Sequence, residues 1–274
     1  MAALVAVAIA APAAGAQSPD VAALQVALRA HGLYSGTIDG VRGPRTAAGV
    51  RRFQRRRGLA VDGVAGPATR RAFGRRGRPR LGSRVLSSGD RGWDVAGLQF
   101  LLGRHGFPSG PVDGGLGPRT DAALRRFQSW AGLGADGLAG AATLARLRRT
   151  PPASPLVLAP PVAAPLGDRF GARGTGFHPG LDYPVGHGTT IRAAGRGCVS
   201  FAGWSSGGYG NLVIIDHRLG MTSWYAHLST VAVRRGACVV AGTPIGRAGS
   251  TGNSTGPHLH FETRLRGAAV APRF

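Results

Sequence analysis

Ile38-Asp-Gly-Val-Arg-Gly-Pro-Arg-Thr46 returns further along the chain as Val112-Asp-Gly-Gly-Leu-Gly-Pro-Arg-Thr120. Outward from this pair, Asp20 to Phe73 aligns with Asp94 to Leu147 without a gap, and about half of the positions are identical. Each copy reads as three short helices. Val21, Leu24 and Leu28 recur at helical spacing and gather on one face. Gly32 stands where a helix C-cap favours a residue free to take positive φ. An Asp39-Gly40 turn comes next, and Pro44 opens the second helix where a missing N–H is tolerated. Val50 and Phe53 supply its inner face, and a second turn, Asp62-Gly63, leads to a third helix opened by Pro67. The second copy repeats this with Leu98, Leu102, Leu124 and Phe127, and has Ala141 in place of the proline. Neither copy offers a nucleophile, an acid pair or a ligand cluster, so both read as binding or spacer modules.

The order L-Q-x-x-L, G, D-G-x-x-G-P-x-T, F-Q, G-L-x-x-D-G resembles the helical peptidoglycan-binding domain found singly or in tandem in wall enzymes. The resemblance covers nearly all of residues 18–147, with one module expected at 18–74 and the other at 87–148. It implies docking on peptidoglycan without catalysis. His31 and His105 sit at equivalent places beside the capping glycine, where the negative end of the helix dipole suits an imidazole.

Further features frame these modules. Residues 1–16 carry no charged side chain and end in Ala14-Gly15-Ala16, the pattern of a cleavable secretory signal, although no Lys or Arg precedes the apolar run. Residues 149–165 hold Pro151, Pro152, Pro155, Pro160, Pro161 and Pro165, a density that favours an extended spacer between the modules and the C-terminal part of the chain. On this reading a chain beginning near Ala164 acts on soluble peptides without the repeats. No segment is apolar for long enough to span a membrane. Cys198 and Cys238 form an even pair that suits a disulfide in an exported protein, or else two buried thiols. The formal charge of +22, carried by arginine without any lysine, attracts polyanions. Anionic wall polymers fit as partners. Specific nucleic-acid binding is not expected, because basic and aromatic residues are not interleaved and no nucleic-acid motif is present.

Residues 166–274 change character. Short runs such as Gly197–Ala202, Leu212–His217, Thr222–His227 and His258–Thr263 alternate with glycine clusters and argue for a small all-β domain. Arg218-Leu219-Gly220 reads as a hairpin connection. Chemistry concentrates in four places. His178 and Asp182 are four apart, but Pro179, Gly180 and Pro184 preclude a helix, so the pair must converge through an irregular turn. His258 and His260 share one face of a strand. Tyr225 and His227 share a face by the same alternation, and Gly207-Gly-Tyr-Gly-Asn211 is a glycine-rich loop with two polar handles. Imidazole and carboxylate are ordinary zinc ligands, and a catalytic zinc keeps three protein ligands and an open position. No G-x-S-x-G elbow is present. The residues therefore read as a His/His/Asp zinc site with spare histidines for proton transfer.

Gly167 to Asp182 with Arg169-Phe-Gly-Ala-Arg173, then Gly208-Tyr-Gly-Asn211, Tyr225-Ala-His-Leu228 and Gly252 to Glu262, resemble the lysostaphin/LytM-type metallopeptidases, the M23 family, in the right order. The resemblance implies one zinc ion per chain on His178, Asp182 and His260, with His227 and His258 as the catalytic pair. Tyr209 and Asn211 are expected to line the peptide groove, and Glu262 to be a solvated strand-edge residue or a partner behind His260. His187 and His217 lie outside the motifs and read as structural. The expected whole is multidomain: two three-helix modules, then an all-β antiparallel metallopeptidase at 166–274. Its function would be a secreted, wall-associated endopeptidase cutting stem peptides or cross-bridges. The alternative is a catalytically silent LytM-like protein that binds the wall and activates another hydrolase.

Overall fold

The computed structural model describes residues 17–274. The secretory-signal expectation for residues 1–16 lies outside the described residues. The N-terminal part is helical: α1 (Pro19–Ala30), α2 (Pro44–Arg56) and α3 (Pro67–Ala72) form the first repeat. The second comprises α4 (Trp93–Arg104), α5 (Pro118–Trp130) and α6 (Ala141–Leu147).

The repeated letters have a physical cause. The buried Gln25 amide donates to Asp39 Oδ1 at 2.7 Å and Thr46 Oγ1 at 3.2 Å, and accepts from the Gly40 N–H. One side chain thereby ties α1 to the Asp-Gly turn and to the first turn of α2. Gln99 does the same with Asp113, Thr120 and Gly114. Gln54 and Gln128 repeat the staple for the third helices, on Asp62 and Thr69 and on Asp136 and Thr143. A buried amide must be satisfied, and here its hydrogen bonds set the turn. His31 and His105 cap α1 and α4.

The repeats are fused. α1 packs on α4, Trp93 Nε1 donates to Asp20 Oδ1 at 3.0 Å, and Phe100 and Val112 of the second repeat join the core of the first.

The C-terminal part is antiparallel β. A hairpin of β1 (Gly171–Arg173) and β2 (Gly176–His178) stands apart from the main sheet. The sheet is built from β3 (Leu181–Pro184), β4 (Thr190–Arg192), β5 (Gly197–Ser205), β6 (Gly210–Asp216), β7 (Met221–Val231), β8 (Cys238–Val239), β9 (Pro244–Ala248), β10 (His258–Leu265) and β11 (Ala268–Val270). Its order is β11-β10-β7-β6-β5-β8, with β3 also on β10 and β9 joining β4 to β7. Alternation on β10 sends Leu259 and Phe261 into the core with Tyr225, Val213 and Ile245, and leaves His258, His260 and Glu262 on the opposite face. Cys198 and Cys238 are disulfide-bonded across β5 and β8. Among the described residues no helix is long and apolar enough to cross a membrane.

The segment 149–165 is not the free spacer that its prolines suggested. Leu156, Leu158 and Val162 are buried in the β core. Leu158 N–H donates to Arg273 O at 2.8 Å, and Ala159 N–H to Ala194 O at 2.7 Å. Polyproline backbone has no internal hydrogen bonds, so its free groups pair readily with a neighbouring strand or loop. Nor are the repeats held apart from the sheet, since α4 contacts both β1 and β2.

Candidate metal centre

His178 ends β2, Asp182 lies in β3 after a two-residue turn, and His260 faces them from β10, in register with Asp182. The turn is tight against β10: a Cβ on Gly180 would lie 2.5 Å from Phe261 O and 2.9 Å from His260 Cε1. Only glycine fits there. Asp182 Oδ1 is 2.7 Å from His260 Nδ1 and 3.2 Å from His178 Nε2, and the two nitrogens are 3.1 Å apart.

The outer nitrogens decide which atoms face inward. His178 Nδ1 is 3.0 Å from the Arg169 carbonyl oxygen. A carbonyl only accepts, so Nδ1 carries the hydrogen and Nε2 presents a lone pair. His260 Nε2 is 2.9 Å from Glu262 Oε1, which leaves Nδ1 to face Asp182. Three electron-pair donors thus converge on one point, an arrangement that favours a shared cation. Tetrahedral bonds of about 2.0–2.1 Å to zinc set neighbouring ligand atoms about 3.3 Å apart, close to the separations found. These three residues form a group whose ligand atoms all lie within 4.8 Å of one another.

Glu262 is not at a solvated edge. It is fully buried, accepts from Tyr209 Oη at 2.9 Å and from Arg264 Nε at 2.7 Å, and Arg264 stacks on the Trp224 ring at 3.8 Å. Burial opposes its charge, but Arg264 and His260 hold the carboxyl below its usual range. The Asp182 carboxyl is likewise held well below the usual range: burial would raise it, and the His178 and His260 bonds prevail. For His260, burial opposes protonation, yet Asp182 and Glu262 push the imidazole up to about 9, so a cation bound at Nδ1 takes the place of a proton there. Arg173 Nη1 donates to the other oxygen of Asp182 at 3.0 Å and to Asp168 at 2.8 Å, turning Oδ1 toward the histidines.

His227 reaches the site by breaking the strand alternation. The β6–β7 register shifts beside it, and His227 takes φ 60, a left-handed value uncommon for a non-glycine residue. The bulge turns its ring to the site side, 4.7 Å from His258. Tyr225 points into the core instead, where its hydroxyl accepts from the Ala194 N–H and from Ser223 Oγ. The expected shared face of Tyr225 and His227 is therefore wrong. His227 Nδ1 faces Thr251 O at 2.8 Å and His258 Nδ1 faces Gly256 O at 2.8 Å, so both direct Nε2 toward the groove. Burial first, then the neighbouring histidines, lower the His227 imidazole against the pull of Thr251 O and Asp182. The groove over this centre encloses about 710 Å³ and is walled by the loops at Gly207–Tyr209 and Asn253–Pro257.

Tyr209 lines the groove, although its hydroxyl is spent on Glu262 and Arg264. Asn211 does not line it. Its amide donates to Leu228 O at 3.1 Å and latches β6 to the bulge. His217 bridges Arg196 O and Ser223 Oγ, and His187 is exposed. Arg173 and Arg264 were missed at the sequence level; only proximity in the fold reveals them.

Comparison with known proteins identifies the two kinds of domain along the chain. The model of peptidase family M23 matches residues 176–272, and that of a putative peptidoglycan binding domain matches residues 17–73 and 91–147. The chain carries a peptidase family M23 domain behind two peptidoglycan-binding domains. Among curated relatives it is 48% identical over 96 residues to the DD-carboxypeptidase/endopeptidase Mpg of Neisseria meningitidis serogroup B, covering 35% of this chain and 22% of that one. It is 43% identical over 105 residues to the murein hydrolase activator NlpD of Salmonella dublin, covering 38% and 27%. Among solved structures, the catalytic domain of lysostaphin from Staphylococcus simulans is 36% identical, with a TM-score of 0.38 over 40% of this chain and 89% of that one. The match thus spans only a minor part of the curated relatives' length.

Proposed function

We propose that this chain is a zinc-dependent endopeptidase, exported and wall-associated, that hydrolyses peptide bonds in peptidoglycan stem peptides or cross-bridges. The observation that carries this reading is the convergence of one carboxylate oxygen and four imidazoles, each imidazole having its outer nitrogen tied to a carbonyl or carboxylate. A scaffold protein that only activates another hydrolase has no need of a complete, pre-oriented set. The disulfide and the two peptidoglycan-binding domains support action outside the cytoplasm.

His178 Nε2, Asp182 Oδ1 and His260 Nδ1 would hold one zinc ion. When bound, zinc supplies Lewis acidity toward the scissile carbonyl and brings the pKa of a water to about 7. Glu262 fixes the His260 tautomer and Arg173 fixes the Asp182 carboxylate. His227 and His258 each present an Nε2 lone pair when neutral and an N–H donor once protonated. His227, whose surroundings oppose its charge, is assigned as the base that takes a proton from the attacking water. His258, at the groove rim, is assigned as the donor that steadies the developing oxyanion. Binding of the repeats to insoluble wall raises the local substrate concentration without altering this chemistry. Digestion of purified sacculi, with mass spectrometry of the released fragments, tests the reading: new amine and carboxylate termini within the peptides support it, and intact peptides reject it.

A further inference from the structure

We infer that the second repeat braces the metal centre: it ties the hairpin carrying His178 to the hairpin carrying His260 and sets the spacing between them. This rests on the zinc-site reading under Proposed function.

The need for a brace comes from the topology. Asp182 and His260 are locked together by the β3–β10 ladder, but among the described residues β2 pairs only with β1, outside the main sheet. His178 therefore stands on a two-stranded hairpin with no ladder to the strands bearing its partners. The chain entering β1 meets β3 at Asp182, through Gly167 N–H to Asp182 O and Asp182 N–H to Asp168 O, both at 2.9 Å, and the repeats hold the hairpin's far end. Ile38 N–H donates to Gly174 O at 2.9 Å and Val112 N–H to Thr175 O at 2.6 Å, gripping the two residues of the hairpin tip. Ile38 and Val112 occupy equivalent positions in the two repeats, so each repeat holds one tip residue. Arg173, next to the tip, carries the ion pair to Asp182.

Behind the hairpin, α4 presents Gly103 to Phe177, the residue before His178. A Cβ at Gly103 would lie 3.2 Å from Phe177 Cβ. The same repeat reaches the other hairpin: Ala269 N–H donates to Gly106 O at 3.1 Å, Trp130 Nε1 donates to Leu265 O at 3.2 Å, and Ala268 is part of the second repeat's core. Leu265 ends β10, the strand of His258 and His260.

The first repeat serves as an internal control. At the positions equivalent to Gly103 and Trp130 it has Arg29 and Arg56. The repeat fold accepts arginine at both places. Glycine is also a poor residue for a helix interior, so Gly103 and Trp130 answer to the β-domain and not to the repeat.

The test places the first repeat's residue in the second, as Gly103→Arg in the full chain, with Arg56→Trp as the reverse swap. Zinc affinity is read by competition with a chromophoric chelator, hairpin opening by hydrogen exchange over residues 171–178, and turnover on a soluble stem peptide. Gly103→Arg is expected to speed exchange in the hairpin, to weaken zinc binding by about 10–100-fold, as loss of a ligand's support does, and to lower kcat with KM little changed. Gly103→Ala is expected to retain most of the zinc affinity, and Arg56→Trp to behave as wild type. If Gly103→Arg does not fold, Trp130→Phe, which removes only the bond to Leu265, is expected to shift zinc affinity in the same direction by less. Wild-type zinc affinity and kcat in a folded Gly103→Arg or Trp130→Phe protein would overturn the brace. A wild-type chain that binds no zinc would instead overturn the metal-centre reading.

Discussion

The fully buried carboxylate of Glu262 lies 2.9 Å from Nε2 of His260, and that contact turns the Nδ1 of His260 toward Asp182. Glu262→Gln keeps the shape but loses the charge that fixes the tautomer, and is expected to weaken zinc binding by about 10–100-fold. Glu262→Ala also strands Arg264, whose guanidinium is held between Glu262, Tyr209 and the Trp224 ring. Leaving a buried charge unpaired costs about 3–5 kcal/mol, so this variant should melt well below the Gln variant. Chelator competition and thermal unfolding of the two proteins check this. Equal zinc affinity in wild type and Glu262→Gln would remove Glu262 from the site's support.

Ligands and proton carriers should separate cleanly. His178→Ala, Asp182→Ala and His260→Ala are expected to lose zinc and activity together. His227→Ala and His258→Ala should keep the metal and slow hydrolysis by roughly 10²–10⁴, the worth of a positioned acid or base. Metal content measured beside each rate decides the assignment. A zinc-free His227→Ala protein would make that residue a ligand.

Where the catalytic part begins matters more than its prolines suggest. A chain starting at Arg149 retains Leu156, Leu158 and Val162 in the β core, whereas one starting at Ala164 loses all three. Each buried aliphatic side chain is worth about 1.5–3 kcal/mol, against a total stability of about 5–15 kcal/mol. The shorter chain is expected to unfold at markedly lower temperature and denaturant concentration. Coincident unfolding curves would show that the strap contributes nothing.

The second repeat should weaken in mild acid. His105 is buried at the end of α4, with Nε2 on Leu147 O at 2.9 Å and no partner at Nδ1 among the described residues. Burial lowers its imidazole more than the Leu147 bond raises it. A depressed histidine favours the neutral form in the fold, so its contribution is complete above the unfolded value of about 6.5 and is lost as pH falls through the folded one. Urea unfolding at about pH 7.5 and about pH 5 should show this loss, and His105→Gln should shrink it. An unchanged pH dependence in the variant would place the acid sensitivity elsewhere.

Much of this molecule was legible because its signals are local. The Gln-Asp-Gly-Thr staples recur in sequence since each closes within a short stretch of chain, and His178, Asp182 and His260 stand in short motifs. The rest depends on distant partners. Strand alternation placed Tyr225 and His227 on one face, because a bulge at a non-glycine residue leaves no mark in the letters. Glu262 read as an edge residue or a partner behind His260, and the choice was open because its burial requires Tyr209 and Arg264 stacked on Trp224. The proline segment read as a spacer because Arg273 and Ala194, which pair with it, lie far along the chain. One further signal does lie in the letters: Gly103 and Trp130 break the repeat where it touches the sheet, against Arg29 and Arg56.

The most direct measurement is hydrolysis of a cross-linked stem peptide by the full chain, stripped of metal with a chelator and then titrated with zinc while bound metal is counted. Activity is expected to be absent in the stripped protein and to rise in proportion to bound zinc, ending at one ion per chain, with His260→Ala showing neither uptake nor turnover. Undiminished hydrolysis by stripped protein, or zinc uptake that brings no hydrolysis, would contradict the assignment of His178, Asp182 and His260 as the centre of a zinc endopeptidase.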